Sequence, residues 1–214
     1  MEQKLRCVDL RRFLSDLSSR ILQAKNELNS MDAECGDGDF GSIMFIAFTN
    51  VQKTLQETES NDVGVVLVQV GNSILSSAGG ASGPMFGTLF IEAGKAAKGK
   101  SEVDLSELTI MLDKSMERIR ARGGARVGDK TLIDALEPAI NSLRESVTAS
   151  SPLSLAARKA AEAAKAGCQS TKYLTAKHGK ARYLGQQTVG FIDPGAYAIS
   201  LTFDSLAATI ERSG

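Results

Sequence analysis

Tryptophan is absent from the sequence, and the remaining aromatics make up only 5% of it. A platform for stacking nucleic-acid bases therefore has little to be built from. Neither sign of charge is in excess, with 25 Lys+Arg against 25 Asp+Glu. That excludes a broad electrostatic footprint for nucleic acid or an anionic membrane, leaving only local patches. The cysteines, Cys7, Cys35 and Cys168, are odd in number, scattered and without a CxxC pair. Neither a disulfide framework nor a zinc site follows. No apolar run approaches membrane-spanning length, and the N-terminal MEQKLRCVDLRRFL lacks the apolar stretch of a signal peptide. The expectation is a soluble, cytoplasmic protein with reduced thiols, no membrane span and no nucleic-acid partner. Its single histidine, His178, has no nucleophile elbow near it.

What the sequence does have is helical periodicity. Its 214 residues suffice for one domain with a sizeable core, and the whole span 1–214 reads as one. Leu10, Phe13, Leu14, Leu17, Ile21 and Leu28 form an apolar stripe through the first segment. Ile46, Ala47, Val51 and Leu55 place a second helix after the first glycine cluster, and Val66, Val70 and Ile74 a third over 62–78. The VVLVQV run within it has strand-like composition, but the continuing helical period outweighs that. Further helices are expected over 84–98, 105–121, 131–149, 153–177 and 195–212. Asp104 and Ser106 supply a start signal for the fifth and Gly123-Gly124 a stop, while Ser151-Pro152 opens the Ala-rich seventh. The fold class is thus all-α, with eight amphipathic antiparallel helices. In such an array alternate connections fall at one end, so the loops near 32–41, 79–83, 123–131 and 179–195 are expected to converge.

The first of these loops carries the strongest chemical signal. Asp32-Ala-Glu-Cys-Gly-Asp37-Gly-Asp39-Phe-Gly41 concentrates three aspartates, with glycines that let the backbone fold around them. Carboxylates crowded in this way repel one another, and a hard cation relieves the repulsion. Magnesium fits, since it takes few protein carboxylates and completes its octahedron with water and phosphate oxygens. An EF-hand does not, because the twelfth position is Ile43 counted from Asp32 and Phe48 counted from Asp37, neither a glutamate. The alternative is a solvated acidic turn. The second loop, Gly79-Gly-Ala-Ser-Gly83, offers backbone N–H groups and a hydroxyl ahead of a helix N-terminus, a cradle for phosphate. Gly94-Lys-Ala-Ala-Lys-Gly99-Lys100-Ser101 matches the Walker A pattern letter for letter. It lacks the preceding strand and following helix that a P-loop needs, so it is read as a chance match.

Taken in order, the loops resemble the nucleotide-binding L subunit of dihydroxyacetone kinase. Asn29-Ser-Met-Asp32 with Gly36-Asp-Gly-Asp39 is similar to that family's metal loop, and Gly79-Gly-Ala-Ser-Gly-Pro-Met-Phe-Gly87 to its phosphate loop. Gly128-Asp-Lys-Thr-Leu-Ile-Asp-Ala-Leu136, Ala181-Arg-Tyr-Leu-Gly185 and Gly190-Phe-Ile-Asp-Pro-Gly-Ala196 match its remaining signatures. The resemblance spans essentially the whole chain. It implies eight antiparallel helices closed into a barrel, with ADP or ATP at one end. It also implies two magnesium ions on Asp32, Asp37 and Asp39. Gly41, Ser42, Ala81 and Ser82 would contact the phosphates, Gly123 and Leu132 would line the adenine side, and Asp193, Pro194 and Gly195 would close the site. Within the turn at 128–134, Thr131 also suits a helix N-cap and Asp134 the support of that turn. Phe40 stands where the family usually has histidine, Ile43 where it has asparagine, and Lys180 where it has arginine. Phe40 and Ile43 then offer the nucleotide backbone groups alone, and Lys180 a point charge without the bidentate fork.

By the same resemblance, dihydroxyacetone is held on a separate K subunit, and a phosphotransferase-system M subunit or free ATP renews the phosphoryl group. Two alternatives keep the fold. One is a kinase for another short ketose, the other a non-catalytic ADP–Mg sensor that contacts a regulator.

Overall fold

The computed structural model describes residues 3–80 and 82–213. Nine α-helices lie among the described residues: α1 (Cys7–Gln23), α2 (Lys25–Ala33), α3 (Phe40–Glu57), α4 (Val63–Ser77), α5 (Ser82–Ala96), α6 (Leu105–Gly123), α7 (Ile133–Thr148), α8 (Leu153–Ser170) and α9 (Pro194–Arg212). Eight of them form a ring in which α1, α3, α4, α5, α6, α7, α8 and α9 each pack on the next and α9 returns to α1, while the short α2 lies on α3. Ion pairs between α6 and α7 show the antiparallel register, with Arg120 bonded to Glu137 and Arg144 to Asp113. The expected helical barrel is therefore present. No described helix is long and apolar enough to cross a membrane, and the three cysteines are free and buried.

Local chemistry explains most boundaries. Asp62 caps α4 by accepting from Gly64 N and Val65 N. Asp104 and Glu107 form a reciprocal capping box on α6, and Gly124 ends that helix in the left-handed conformation (φ 67°). Asp193 accepts from Ala196 N at the start of α9, with Pro194 in its first turn. The VVLVQV run is helical, within α4.

The α4–α5 hairpin is held unusually close by small residues. A Cβ on Gly64 would stand 2.5 Å from the Gly94 carbonyl oxygen, and one on Gly71 2.7 Å from that of Gly87. The two helices thus meet backbone to backbone, which fixes where their connecting turn emerges.

Four expectations need correction. The first stripe belongs to two helices: the chain bends at Ala24 so that α2 can bring Asn29 and Asp32 to the start of α3. Ile46 is 52% exposed, and Met44 and Phe48 bury that face of α3 instead. The helix expected over 153–177 stops at Ser170, where a 3-10 turn (Thr171–Tyr173) begins. The Thr171 carbonyl and hydroxyl are taken by Lys130 and by Asp193 N, partners remote in sequence that no periodicity reveals. Finally, the ends of the barrel include a strand pair that alternation was too short to show. β1 (Leu5–Arg6) runs antiparallel to β2 (Glu102–Val103), with Leu5 opposite Val103.

Candidate functional site

At one end of the barrel the four loops surround a cavity of about 920 Å³. Its acidic rim begins at the end of α2. The Asp32 carbonyl accepts from Cys35 N (3.1 Å) and Gly36 N (2.5 Å), which turns the chain back on itself. One oxygen of the Asp32 carboxylate then accepts from Asp39 N (3.0 Å) and Phe40 N (3.2 Å), so this side chain also caps α3. Gly36 packs against that carboxylate and Gly38 is left-handed (φ 73°), as a loop folded around its own aspartates requires. Ligand oxygens of Asp32, Asp37 and Asp39 all lie within 4.8 Å of one another.

The rim carries a net negative charge. Lys180 reaches across from the fourth loop to the Asp37 carboxylate, and this bond holds the Asp37 carboxyl below the usual carboxylate range. Asp39 is pushed the other way, by burial and by the charge of Asp37. Three carboxylates against one lysine leave an excess that a divalent cation would neutralise. The donors are all oxygens, which suits magnesium.

The second loop leads into the N-terminus of α5. Gly79, Gly80 and Ser82 line the cavity, and the Ser82 hydroxyl points back to the Gly79 carbonyl at 3.5 Å. Ala81 lies outside the described residues. Beyond this cradle the wall becomes apolar, with Phe40, Ile43, Met85, Phe86, Ile119 and Leu132 facing the space. Phe40 and Phe86 meet edge-on with ring centres 6.5 Å apart. The cavity therefore has an acidic mouth, a backbone-rich shoulder and an apolar floor, within the size range of small-molecule sites.

The third loop is a rigid turn. Asp134 accepts from Gly128 N (2.6 Å) and Thr131 N (2.7 Å), and the Thr131 hydroxyl accepts from Ile133 N (3.2 Å) at the start of α7. Both side chains thus support the turn and its helix, while Thr131 also faces the cavity. Lys130, just before Thr131, is 4% exposed. Its ammonium donates to the Thr171 carbonyl at 2.7 Å and to the Phe191 carbonyl. Burial lowers its pKa from the ordinary lysine value.

The fourth loop leaves α8, crosses the cavity and returns as α9. Asp129 holds its outer part, bonded to Lys177 Nζ at 2.8 Å and His178 Nε2 at 3.2 Å. His178, Lys180, Arg182 and Tyr183 line the cavity, and Asp193, Pro194 and Gly195 close its inner edge. Burial pushes the Asp193 carboxyl up to about 7, against the opposing hydrogen bond from Ala196 N.

Of the residues singled out from sequence, Asp32, Asp37, Asp39, Phe40, Ile43, Ser82, Gly123, Leu132, Lys180, Asp193, Pro194 and Gly195 line this one cavity. Gly41 and Ser42 do not. Gly41 is buried against the Lys25 carbonyl, and Ser42 exchanges hydrogen bonds with the Asn29 side chain. Lys130, His178, Arg182 and Tyr183 are wall residues that the motifs did not assign, although each lies within or next to a motif. The Walker-like segment is elsewhere: it runs from the end of α5 toward β2, where Lys100 pairs with Glu107 at 2.6 Å.

Comparison with known proteins places this geometry. The family model for the DAK2 domain matches residues 34–208. The ADP-binding subunit DhaL of PEP-dependent dihydroxyacetone kinase 1 from Listeria innocua is 34% identical, covering 92% of this chain and 94% of that one. The ADP-binding subunit DhaL of the Escherichia coli PEP-dependent enzyme is 37% identical, covering 84% and 86%. The solved dihydroxyacetone kinase of C. freundii in complex with AMP-PNP and Mg2+ aligns with a TM-score of 0.69 at 27% identity, covering 92% of this chain and 33% of that longer one. Motif order, helical ring and near full-length similarity agree: the chain belongs to the DAK2 domain family, with the nucleotide-binding L subunits of dihydroxyacetone kinases.

Proposed function

We propose that this chain, acting as one domain, is the ADP-carrying subunit of a dihydroxyacetone kinase. It holds a magnesium-bound nucleotide whose phosphoryl group passes to dihydroxyacetone on a separate K subunit. The observation that carries the reading is the convergence of the Asp32, Asp37 and Asp39 oxygens within 4.8 Å beside a nucleotide-sized cavity with an apolar floor.

These carboxylates would hold two magnesium ions. Such ions, when bound, neutralise phosphoryl oxygens and fix their direction, which is most of what phosphoryl transfer needs. The rest falls to the chain itself. Gly79, Gly80, Ala81, Ser82 and the α5 N-terminus would present N–H groups and a hydroxyl to the phosphates. Lys180 would add a positive charge at the acidic mouth. Gly123, Leu132, Phe40 and Ile43 would keep water from the adenine side, and Asp193-Pro194-Gly195 would close the inner edge. None of these groups attacks the substrate, so no residue here is assigned a catalytic role. The relatives named above as PEP-dependent support reloading of the bound ADP by a phosphotransferase-system M subunit over exchange for free ATP.

Native mass spectrometry of gently purified protein tests this, with an Asp37→Ala/Asp39→Ala variant beside it. The expected result is an added mass of ADP plus two magnesium ions that the variant lacks. A bare chain that also ignores added ADP and ATP with magnesium would overturn the nucleotide reading. A loaded chain that never passes phosphoryl to a sugar-bound cognate K subunit would favour the sensor.

A further inference from the structure

We propose that Lys130 is a positioning residue for nucleotide retention: its buried ammonium pins together the two ends of the segment that lays His178, Lys180 and Tyr183 along the cavity. The consequence for nucleotide rests on the reading above, whereas the pin itself does not.

The position is an expensive one for lysine. Lys130 adopts φ 59°, a left-handed conformation that glycine takes freely and other residues take at a cost. It is also 4% exposed, so the charge is largely withdrawn from water. A side chain kept under both penalties is one whose chemistry is used. The partners show the use. The ammonium donates to the Thr171 and Phe191 carbonyls, 41 and 61 residues away, and among the described residues none of its hydrogen bonds goes to a carboxylate. These two carbonyls bracket the whole excursion between α8 and α9. Charge-assisted bonds to both therefore close its base.

The same turn grips the segment a second time. Asp129, the preceding residue, bonds Lys177 and His178 through its side chain and Lys177 N through its carbonyl. The turn is itself braced by Asp134. Other links at the base are single bonds between neutral groups, Gly190 N to the Lys172 carbonyl and Asp193 N to the Thr171 hydroxyl. Removing the ammonium leaves the tip attached and lets the base open.

Hydrogen exchange on nucleotide-free protein reads the pin directly, through the bonded amides of Ala176, Val189 and Gly190. Lys130→Met and Lys130→Gly are both expected to raise exchange there about tenfold or more, as loss of two charge-assisted bonds implies. Exchange in α4 and α5 should stay as in wild type, ADP–Mg dissociation should quicken by a similar factor, and Lys130→Arg should restore most of both. Glycine separates the two penalties, because it relieves the backbone while deleting the ammonium. A glycine variant as protected as wild type would overturn the pin, as would a rise spread evenly over all helices. Should Lys130→Met not fold, Lys130→Gly carries the same test. Wild type that binds no ADP–Mg overturns the nucleotide reading alone, since the exchange result still judges the pin.

Discussion

Asp32 and Asp37 belong to the same carboxylate cluster, yet their surroundings divide their roles. Asp32 is part of the fold: it caps α3 through Asp39 N and Phe40 N, a service worth about 1 kcal/mol. Asp37 is exposed and its ion pair is with the exposed Lys180, a pairing of little consequence for stability. Asp32→Ala should therefore lower the melting temperature of nucleotide-free protein, and Asp37→Ala should leave it nearly unchanged, while both abolish ADP–Mg binding. Thermal unfolding beside calorimetric titration checks the split; equal losses of stability would contradict it. The cluster was legible in sequence because its three aspartates and its glycines are neighbours. The cap was not, since Asp32 reaches across seven residues to an amide that any residue type would carry. Lys130 was hidden more deeply, because its partners are backbone carbonyls, which leave no mark in composition. Gly41 shows a related limit: a glycine needed for close packing and one needed for phosphate look alike in sequence, and only the structure shows the Lys25 carbonyl standing against this one.

Elements were read best where one local rule sufficed. The capping box at Asp104 and the stop at Gly124 decide α6 by themselves, and α4 kept its helical period through a strand-like run. Failures came where a remote contact intervened, as at Ala24 and Ser170. The α4–α5 hairpin shows how packing between elements then serves the site, because the turn that brings Gly79 and Gly80 to the cavity wall emerges where the glycine seam sets it. A methyl group on Gly64 would meet the Gly94 carbonyl oxygen at 2.5 Å and the Lys98 backbone at 2.7 Å, and neither is a side chain free to turn away. Gly64→Ala should cost about 1–3 kcal/mol, or roughly 2–12 °C in melting temperature for a chain of this size. Gly99→Ala, at the end of the same hairpin, provides the control: no atom crowds it, and its cost comes only from a left-handed backbone (φ 83°). If Gly64→Ala melted like wild type, the two helices would have to separate more readily than their backbone contact suggests.

At the scale of the whole molecule, a ring of helices must be closed, and here its first and last members are joined by a buried charge. Asp9, on α1, has a side chain only 1% exposed. It accepts from Arg6 at 2.8 Å, from Arg12 at 3.0 Å and from the Ser213 hydroxyl beyond α9 at 2.9 Å. Gln3 adds a bond to the Ile210 carbonyl at 3.0 Å across the same seam. Burial alone would raise the Asp9 pKa, but the bonds from Arg6 and Ser213 and the arginine charges outweigh it, so the carboxyl sits below its ordinary 3.8. The sign of the linkage follows. Near that ordinary value the unfolded chain binds more protons at this position than the folded one, so stability rises with pH there. The contribution is complete above the unfolded pKa and is lost as pH falls through the lower folded one. Asp9→Asn keeps the shape and discards the charge, and should cost about 2–3 kcal/mol at pH 7. Urea unfolding at pH 7, 5 and 3 should show the gap from wild type unchanged between the first two and smaller at the third. A gap independent of pH would mean that packing, not charge, closes the ring. Asp9, Arg6 and Ser213 do not line the candidate cavity, so the folded variant should bind ADP–Mg as wild type does, separating the closure of the barrel from the proposed chemistry of that cavity.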